Sequence, residues 1–409
     1  MNRVVVTGIG AVTPLGNSFS TSWEGLADGR VATHGGRLMG FDVQQYLSIR
    51  EINRLDTFVH YAVAAAAMAL CDAAIKSPSG FASIIGTSRG GITMINSATK
   101  RLASSQGNAR KASPYLMPAT TASMAASYIS QKFGLRGHTL GISNACTSGA
   151  NAVGEAYRLI KHGYSAGALA GGTDAPFCEL CLEGYRASGA LSRGASAGAS
   201  RPFCVGRDGF VLAEGACVVV LEDYAFALSR GARIYAEVLG YGNTSDGFDM
   251  VRPDSAMQGT AILKALTEAA IGPDGVDFVN AHATSTPIGD AAESEAIHIA
   301  LRDNAGTVPV TANKSITGHM LSASAAFEAA ATAMSIYTGL IPPTINIQEL
   351  DPACRLNVIT KPLKLDGLLT GITNSFGFGG VNASLVLGAV DIKRGSSKLG
   401  KKSLQMGPL

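Results

Sequence analysis

Short strand-like runs and Ala-rich helical stretches alternate along this chain, and no Pro- or Ser-rich linker separates them. The first run, 3–7, is followed by the helical stretch 61–75 and then by a second run at 82–86. The alternation continues to a last run at 384–387. Because strand–helix–strand units cover both faces of a largely parallel sheet with helices, the sequence predicts an α/β fold with a buried sheet.

Two small-residue segments that lie far apart in the chain look alike. Asn144-Ala-Cys-Thr-Ser-Gly opens one helical stretch, and Gly318-His-Met-Leu-Ser-Ala opens another. Helices rich in Gly, Ala and Ser can approach other backbone closely, so we expect both to be buried. The pair suggests a duplicated α/β unit with two equivalent central helices, although a chance similarity between Ala-rich helices would give the same pattern.

The composition is that of a folded protein. Of the 409 residues, 46% are hydrophobic and 15% are charged, and the net charge is only +3, which excludes an intrinsically disordered chain. The last eighteen residues, 392–409, contain five Lys or Arg and no acid, which leaves about −2 for residues 1–391. We therefore expect a basic, disordered tail and no nucleic-acid-binding surface.

The cysteines and the apolar runs indicate a cytosolic protein. There are seven cysteines, an odd number, and the first residues lack the apolar core of an export signal, so we expect free thiols in a reducing compartment. The longest apolar run, 61–71, ends at Asp72 and is far shorter than the roughly 20 residues that span a bilayer. The sequence predicts a soluble, cytoplasmic protein.

Two short motifs have simpler explanations than the functions they suggest. Gly8 and Gly10 follow the first strand-like run, but Thr13 stands where the third glycine of a dinucleotide-binding fingerprint belongs. A tight strand-to-loop turn explains these glycines. Cys178 and Cys181 form a lone CxxC pair without the second ligand pair of a structural zinc site. We interpret them as buried thiols, with a redox pair as the alternative.

Residues 86–90, Gly-Thr-Ser-Arg-Gly, match the G-x-S-x-G pattern of a hydrolase nucleophile elbow and follow a strand-like run. A hydrolase would also need an acid and a later His, for which Asp290 and His319 are available. Residues 91–94 do not predict the tight helix that the elbow requires. A glycine-rich turn is favoured, and a serine hydrolase that uses Ser88 stays open as an alternative.

Cys146, His282 and His319 form the strongest set of chemical candidates. Cys146 lies between the strand-like run 139–143 and the start of a helix, where the helix dipole and free N–H groups favour the nucleophilic thiolate. His282 and His319 lie in Gly-, Thr- and Ser-rich loops at the ends of strand-like runs, and the Gly-rich turn 374–380 offers N–H groups for an oxyanion. Because ligands bind at strand carboxyl ends, these residues predict a nucleophile beside groups that stabilise negative charge.

Six sequence blocks follow one another along almost the whole chain. They are Cys146-Thr-Ser-Gly, Arg207-Asp-Gly-Phe-Val, Asn280-Ala-His-Ala-Thr-Ser-Thr-Pro-Ile-Gly-Asp, Lys314-Ser-Ile-Thr-Gly-His, Pro342-Pro-Thr-Ile-Asn and Asn374-Ser-Phe-Gly-Phe-Gly-Gly. In this order the chain resembles the β-ketoacyl-[acyl-carrier-protein] synthases of the thiolase superfamily, with the elongating 3-oxoacyl-[acyl-carrier-protein] synthase II group closest.

The resemblance implies a thiolase-like α/β fold of two similar βαβαβαββ halves in five α-β-α-β-α layers. The first half would span 1–235 and carry the nucleophile, and the second would span 236–391 and carry both catalytic His residues. Members of this family usually dimerise. The presence of Cys146 distinguishes the chain from the chain-length-factor subunits, which lack this nucleophile.

Roles for individual residues follow from the same resemblance. Cys146 would take the acyl chain, while His282 and His319 would hold the malonyl thioester and stabilise the enolate formed as CO2 leaves. The other matches are Lys314 and Glu328, which organise the site; Asp290 and Glu293, which position the neighbouring loop; Thr284 and Thr286, which hold the pantetheine arm; Phe378, which completes the oxyanion hole with Cys146 and acts as a gate; Tyr185, which lines the pocket; and Arg110 and Lys111, which dock the carrier.

The implied reaction is a decarboxylative Claisen condensation with malonyl-acyl carrier protein in fatty acid or polyketide elongation. It needs no metal and no diffusible cofactor, because both substrates are thioesters of carrier-bound phosphopantetheine. Ala283, Cys204 and Ser322 depart from the family pattern without removing a catalytic side chain. These departures leave open a dedicated polyketide or polyene pathway and a homodimer or a heterodimer with a chain-length-factor-like subunit.

Overall fold

The computed structural model describes residues 1–32, 34–104, 113–194 and 197–390. The basic tail predicted at 392–409 lies outside these ranges. None of the helices in the described ranges is both long and apolar enough to cross a membrane.

Strands and helices alternate as the sequence predicts. The strands are β1 Val4–Val12, β2 Ala82–Gly86, β3 Thr139–Ile142, β4 Gly167–Asp174, β5 Gly215–Asp223, β6 Ala236–Ser245, β7 Phe278–Asn280, β8 Pro309–Thr311, β9 Leu340–Ile341, β10 Asn357–Val358, β11 Leu363–Lys364, β12 Thr370–Gly377 and β13 Val381–Gly388. The α-helices are α1 Phe19–Ala27, α2 Ile49–Ile52, α3 Thr57–Asp72, α4 Ile92–Ser104, α5 Leu116–Thr120, α6 Met124–Phe133, α7 Ser148–Lys161, α8 Glu179–Ala187, α9 Tyr224–Ser229, α10 Ser255–Ala269, α11 Pro287–Leu301, α12 Lys314–Thr317 and α13 Ser322–Thr338.

The two halves of the chain build their strands in the same order. In the first half the strands lie side by side as β3-β2-β4-β5-β1, and in the second half as β8-β7-β12-β13-β6. The directions also agree, since β2 is parallel to β3 and β4 just as β7 is parallel to β8 and β12, while the remaining pairs are antiparallel. This repeated topology confirms the predicted duplication of a βαβαβαββ unit.

The halves meet through a short antiparallel pairing of β1 with β6, where Val4 lies opposite Val238. Helices α3 and α6 cover the outer face of the first set of strands, and α10 packs on the outer face of the second with α11 against it. Helices α7 and α13 lie between the two sets of strands. The result is the predicted order of five layers. The division predicted between 235 and 236 falls at the start of β6 and stays a prediction.

The central helices need small residues because their backbones nearly touch. A Cβ atom placed on Gly149 of α7 would lie 2.2 Å from the carbonyl oxygen of Ser322 at the start of α13. That distance is far below van der Waals contact, so only glycine permits this approach. The similarity between the two small-residue segments therefore reflects a shared structural position rather than chance.

Two local predictions are wrong. Gly8 and Gly10 lie within β1 instead of forming a turn, and a Cβ on Gly10 would lie 2.1 Å from the Ala65 carbonyl oxygen of α3. Their role is to let a helix pack closely on a strand. A helix, α4, does begin two residues after the Gly86–Gly90 segment. Its first turn is fastened by the buried Asp56, whose carboxylate accepts hydrogen bonds from Thr93 and Met94.

Candidate active site

Four chemically active side chains lie just beyond the carboxyl ends of three strands. Cys146 follows β3, His282 follows β7, and Lys314 and His319 follow β8. Because β3 and β8 hold equivalent positions in the two halves, the turn into α7 and the turn into α13 face each other across the molecular centre. The duplicated fold thus brings together residues that are far apart in sequence.

The sulfur of Cys146 faces the ring of His319. His319 Nε2 lies 3.1 Å from Cys146 Sγ, and the His319 ring packs edge-on against Phe210 with centroids 5.3 Å apart. The His319 backbone is held on both sides, because its N–H donates to the Val211 carbonyl and its own carbonyl accepts from the Ala213 N–H. These contacts fix the imidazole beside the thiol.

Burial decides the resting state of this pair. Desolvation raises the pKa of the Cys146 thiol to about 11, although the positive charges of Lys314 and Arg89 lower it. Burial and the charge of Lys314 also hold the pKa of His319 well below its usual range. Burial therefore favours a neutral thiol beside a neutral imidazole and opposes the thiolate that the helix N-terminus is expected to favour.

His282 is placed with one ring nitrogen available to a substrate. Its ring lies 5.5 Å from that of His319, and its Nδ1 lies 3.3 Å from Lys314 Nζ. An ammonium group can only donate, so Nδ1 must accept and the imidazole proton sits on Nε2. Burial, Lys314 and His319 hold the pKa of His282 well below its usual range, which keeps the ring neutral and able to donate from Nε2.

Lys314 is buried together with Glu328. The ammonium lies 2.5 Å from the Glu328 carboxylate, and both side chains are almost fully inaccessible to solvent. Burial raises the pKa of Glu328 to about 7, against the lowering effect of Lys314. A buried cation needs such a partner, and the pair keeps a positive charge next to both imidazoles. This placement agrees with the organising role that the resemblance implies for Lys314 and Glu328.

Two buried carboxylates fix the loop that carries His282. Glu293 accepts hydrogen bonds from the backbone N–H groups of His282 at 2.8 Å and Ala283 at 2.6 Å. Asp290 accepts from the backbone N–H groups of Ser285 and Phe203. Both lie on the first two turns of α11. Burial is the largest influence on each of them and raises the pKa of Asp290 to about 7.

Asp174 is a site residue that the sequence interpretation missed. It ends β4, is fully buried, and accepts hydrogen bonds from the backbone N–H groups of Ser88, Arg89 and Ser322. It therefore joins the loop after β2 to the start of α13. The signal was present in the strand-end sequence Gly-Gly-Thr-Asp174, because strand carboxyl ends are where α/β proteins place functional groups.

Cys146, His282 and His319 open into one cavity of about 170 Å³. Thr284 and Thr286 line it, with their hydroxyl oxygens 3.2 Å apart, and Phe378 borders it just after β12. Gly377 lies against the nucleophile, because a Cβ there would be 3.2 Å from the Cys146 backbone nitrogen. The structure brings the predicted pantetheine, gate and oxyanion residues to the same cavity as the nucleophile.

Tyr185 forms part of the cavity wall. Its ring packs edge-on against Phe210 at 5.3 Å, and its hydroxyl oxygen accepts a hydrogen bond of 2.9 Å from Arg89 Nε. Desolvation raises the pKa of the Tyr185 phenol above its usual range, so the group is neutral. The predicted carrier-docking residues Arg110 and Lys111 lie outside the described residues.

The alternative as a serine hydrolase is wrong. Within the described ranges, the Ser88 hydroxyl has no hydrogen-bond partner. The two residues that a hydrolase would recruit are engaged elsewhere, since His319 faces Cys146 and Asp290 binds backbone N–H groups of Ser285 and Phe203. Among the described residues, no base is therefore within hydrogen-bond distance of the Ser88 hydroxyl.

The CxxC pair lies at the start of α8. Cys178 is the residue before the helix and Cys181 is in its first turn, and both are buried free thiols. The part of the chain that the structure describes contains no group of three or more His, Cys, Asp or Glu residues suited to a metal ion. The interpretation as buried thiols agrees with these positions.

Comparison with known proteins places this geometry in a family. The model of the "Beta-ketoacyl synthase, N-terminal domain" matches residues 44–227, and that of the "Beta-ketoacyl synthase, C-terminal domain" matches residues 235–348. The 3-oxoacyl-[acyl-carrier-protein] synthase 2 of Synechocystis sp. is 37% identical over 405 residues, which cover 94% of this chain and 97% of that protein. The protein of the same name from Vibrio cholerae is 37% identical, and the match covers 94% of this chain and 98% of that protein.

Solved structures show the same fold. A β-ketoacyl synthase from Burkholderia phymatum superimposes with a TM-score of 0.89 at 31% identity, covering 95% of this chain and all of that one. A ketosynthase in complex with its type II polyketide acyl carrier protein gives a TM-score of 0.88 at 31% identity, and the match covers 95% of this chain and 100% of that one. The ishigamide ketosynthase/chain length factor gives a TM-score of 0.88 at 30% identity, and the match covers 95% of this chain and 99% of that one.

Proposed function

The chain belongs to the β-ketoacyl synthases, and we propose that it condenses an acyl group held on Cys146 with malonyl-acyl carrier protein to give 3-oxoacyl-acyl carrier protein. The observation that carries this proposal is the arrangement of Cys146, His319 and His282 around one cavity. Cys146 Sγ lies 3.1 Å from His319 Nε2, and the centroids of the His319 and His282 rings are 5.5 Å apart. A nucleophile and two neutral imidazoles in contact with one cavity are the groups that acyl transfer and enolate stabilisation require.

The first half-reaction loads the acyl chain. The thiol proton of Cys146 passes to His319 Nε2, and the thiolate attacks the carbonyl carbon of the carrier-bound thioester. Backbone N–H groups of Cys146 and Phe378 stabilise the resulting oxyanion. The tetrahedral intermediate collapses, the carbon–sulfur bond to phosphopantetheine breaks, and the departing thiolate takes the proton. Cys146 is then a thioester and His319 is neutral again.

The second half-reaction forms the new carbon–carbon bond. The malonyl carbonyl oxygen accepts a hydrogen bond from His282 Nε2–H, and His319 lies on its other side. As the carboxylate leaves as CO2, the electron pair of the broken bond forms an enolate that His282, the Nε2–H tautomer of His319 and the nearby Lys314 charge stabilise. The enolate carbon attacks the acyl carbonyl, the Cys146 thiolate leaves, and a proton from water restores the resting thiol. The proposed chemistry uses only side chains, backbone N–H groups and the substrates' own phosphopantetheine.

Several features support a dimer working with an acyl carrier protein in the cytoplasm. Strand β3 lies at one end of the sheet, and two of its four residues, Thr139 and Leu140, are exposed. An exposed edge strand can pair with the same strand of a second copy. All seven cysteines are free thiols, which fits a reducing compartment.

Because one solved relative is a ketosynthase/chain length factor, a heterodimer is the alternative assembly.

A second candidate function is elongation in a dedicated polyketide or polyene pathway. It is favoured by the similarity to a ketosynthase bound to a hexaketide and to the ishigamide ketosynthase. The catalytic steps would be the same, and only the acyl chain on Cys146 would differ.

Intact-protein mass spectrometry tests the proposal. The purified chain is mixed with acyl carrier proteins that bear different acyl groups, and a mass increase of one acyl group on the enzyme is expected. Cys146→Ala should abolish the increase, and Ser88→Ala is the matched control that should retain it. Acylation that survives Cys146→Ala and disappears in Ser88→Ala would overturn the proposal. Incubation of the acylated enzyme with malonyl-carrier protein should then release the acyl group as a 3-oxoacyl product.

A further inference from the structure

The segment Gly86–Gly90, which resembled a nucleophile elbow, places a charged side chain beside the active-site cavity. Arg89 lines a second cavity of about 320 Å³ together with Ile92, Leu180 and Cys181. Tyr185, Ser188 and Phe378 border both this cavity and the one that contains Cys146. These three residues separate the Arg89 cavity from the nucleophile.

The guanidinium of Arg89 has no carboxylate partner among the described residues. Its side chain donates one hydrogen bond, from Nε to the neutral Tyr185 hydroxyl, and stacks over the same ring with 5.2 Å to the centroid. The two terminal nitrogens are left without a hydrogen-bond partner in the described ranges. An arginine fork has five N–H donors, and the two terminal groups together match the two oxygens of a carboxylate.

The protein fixes the backbone of Arg89, and its side chain, although exposed, is held by the Tyr185 hydroxyl. The buried Asp174 accepts hydrogen bonds from the backbone N–H groups of Ser88 and Arg89, and its other contacts are to Thr87 and to Ser322 at the start of α13. Gly91, two residues later, packs so closely that a Cβ there would lie 2.5 Å from the Thr120 Cα. A charged group on so rigid a loop needs little reorganisation to bind a ligand.

Apart from Arg89 the lining is largely apolar, with Ile92, Leu180 and Phe378 among its residues, so a saturated chain fits poorly only where its end meets the guanidinium. A methyl end group placed against the guanidinium displaces its water and returns no hydrogen bond, and an unpaired charge is costly to desolvate. A carboxylate in the same place accepts two charge-assisted hydrogen bonds. We propose, on the basis of the proposed function, that Arg89 and Tyr185 form a specificity site for acyl chains that carry a carboxylate at the end distant from the thioester.

Competition between matched donors tests this inference. Carrier proteins are loaded with acyl groups of equal carbon number that end in a methyl group, in a carboxylate or in the methyl ester of that carboxylate, and several chain lengths are included. The initial rate of Cys146 acylation is measured for each by intact-protein mass spectrometry. At the chain length that reaches Arg89, the wild-type protein should prefer the carboxylate over the methyl end by roughly tenfold to a hundredfold, with the neutral ester in between.

Three variants show whether Arg89 causes the preference. Arg89→Leu should invert it in favour of the methyl end, whereas Arg89→Lys, which keeps the charge, should retain a weaker preference for the carboxylate. Lys100→Met is the matched control, because it removes one positive charge from α4 whose ammonium pairs with the exposed Glu179; it should keep the wild-type preference. Melting temperatures establish that each variant is folded.

The outcomes separate this inference from the proposed function. Acylation that prefers methyl-ended donors in the wild-type protein, or a carboxylate preference unchanged by Arg89→Leu, would overturn the specificity site and leave the condensation reaction intact. Failure of every donor to acylate Cys146 would overturn the proposed function and this inference with it.

Discussion

The loops after the second strand of each half are built alike but present different chemistry. In the first half, the loop after β2 is held by Asp174, which binds the N–H groups of Ser88 and Arg89. In the second half, the loop after β7 is held by Glu293, which binds the N–H groups of His282 and Ala283. A buried carboxylate anchors the backbone in both cases, but the loop of the first half presents the Arg89 guanidinium to one cavity and the loop of the second half presents the His282 imidazole to the other.

The turns after the third strands show the same division. The turn after β3 leads into α7 and carries the nucleophile Cys146, whereas the turn after β8 leads into α13 and carries Lys314 and His319. The first half therefore supplies the group that holds the acyl chain, and the second half supplies the groups that stabilise the enolate. The two halves thus place functional side chains at equivalent strand ends, and the residue type at each position determines its chemical role.

The sharpest test of this division replaces each imidazole. His282→Ala should lower malonyl decarboxylation by roughly 100- to 1000-fold, because it removes the Nε2–H donor, while acylation of Cys146 should fall much less. His319→Ala should impair both steps, since its Nε2 contacts the sulfur at 3.1 Å. Release of CO2 and enzyme acylation are measured separately for each variant. Equal losses of both steps in His282→Ala would contradict the assignment.

The buried Lys314–Glu328 pair is found in the second half, and the part of the chain that the structure describes has no such ion pair at Cys146. Lys314→Met should lower the free energy of unfolding by about 3–5 kcal/mol, because it leaves the Glu328 carboxylate buried without its cation. The double variant Lys314→Met/Glu328→Leu should recover most of that loss. Urea denaturation measures both. A single variant as stable as the wild-type protein would show that the pair is not needed to keep Glu328 buried.

The two anchoring carboxylates can be compared through the pH dependence of stability. Burial raises the pKa of Asp174 from 3.8 to about 6, so the folded protein binds this proton more tightly than the unfolded chain does. The proton on Asp174 therefore contributes about 3 kcal/mol to the free energy of unfolding below pH 3.8, and this contribution is lost as the pH rises through about 6. Asp174→Asn should remove this part of the pH dependence.

The measurement for Asp174 is the free energy of unfolding of both proteins across that pH window. The advantage of wild type over Asp174→Asn should shrink as the pH rises. A constant difference would mean that Asp174 has an unshifted pKa. Glu293→Gln provides the comparison in the other half, since burial also raises the pKa of Glu293 and predicts a trend of the same sign.

A pair of glycine substitutions gives the smallest expected effects and tests the contact between the halves. Gly149→Ala should destabilise the fold by about 1–3 kcal/mol, because the new Cβ would press on the Ser322 carbonyl oxygen at 2.2 Å. Gly184→Ala in α8 should stabilise it by up to about 1 kcal/mol, since nothing lies within 4 Å and alanine favours helix. Thermal unfolding measures both, and a loss of stability of similar size in the two variants would contradict the close approach of α7 and α13.

Much of this protein was determined by its local sequence. The short-range pattern of apolar residues indicates which segments form strands and helices, so the α/β class was predictable. The small residues around Gly149 likewise predicted a buried central helix. Cys146, His282 and His319 were found as candidates because polar groups that follow strands gather at one edge of a sheet. The six ordered blocks then implied the family, and the comparisons bear that out.

Only the tertiary structure decided how these groups act. Cys146 and His319 are 173 residues apart, and the neutral state of both depends on desolvation by parts of the chain that no local pattern identifies. The same is true of Asp174, whose hydrogen-bond partners come from two separate segments, 87–89 and the start of α13, and of Arg89, whose contact with Tyr185 no motif predicts. Proximity across the duplicated fold sets charge, tautomer and partner, because electrostatic interactions depend on distance in space rather than on separation along the chain.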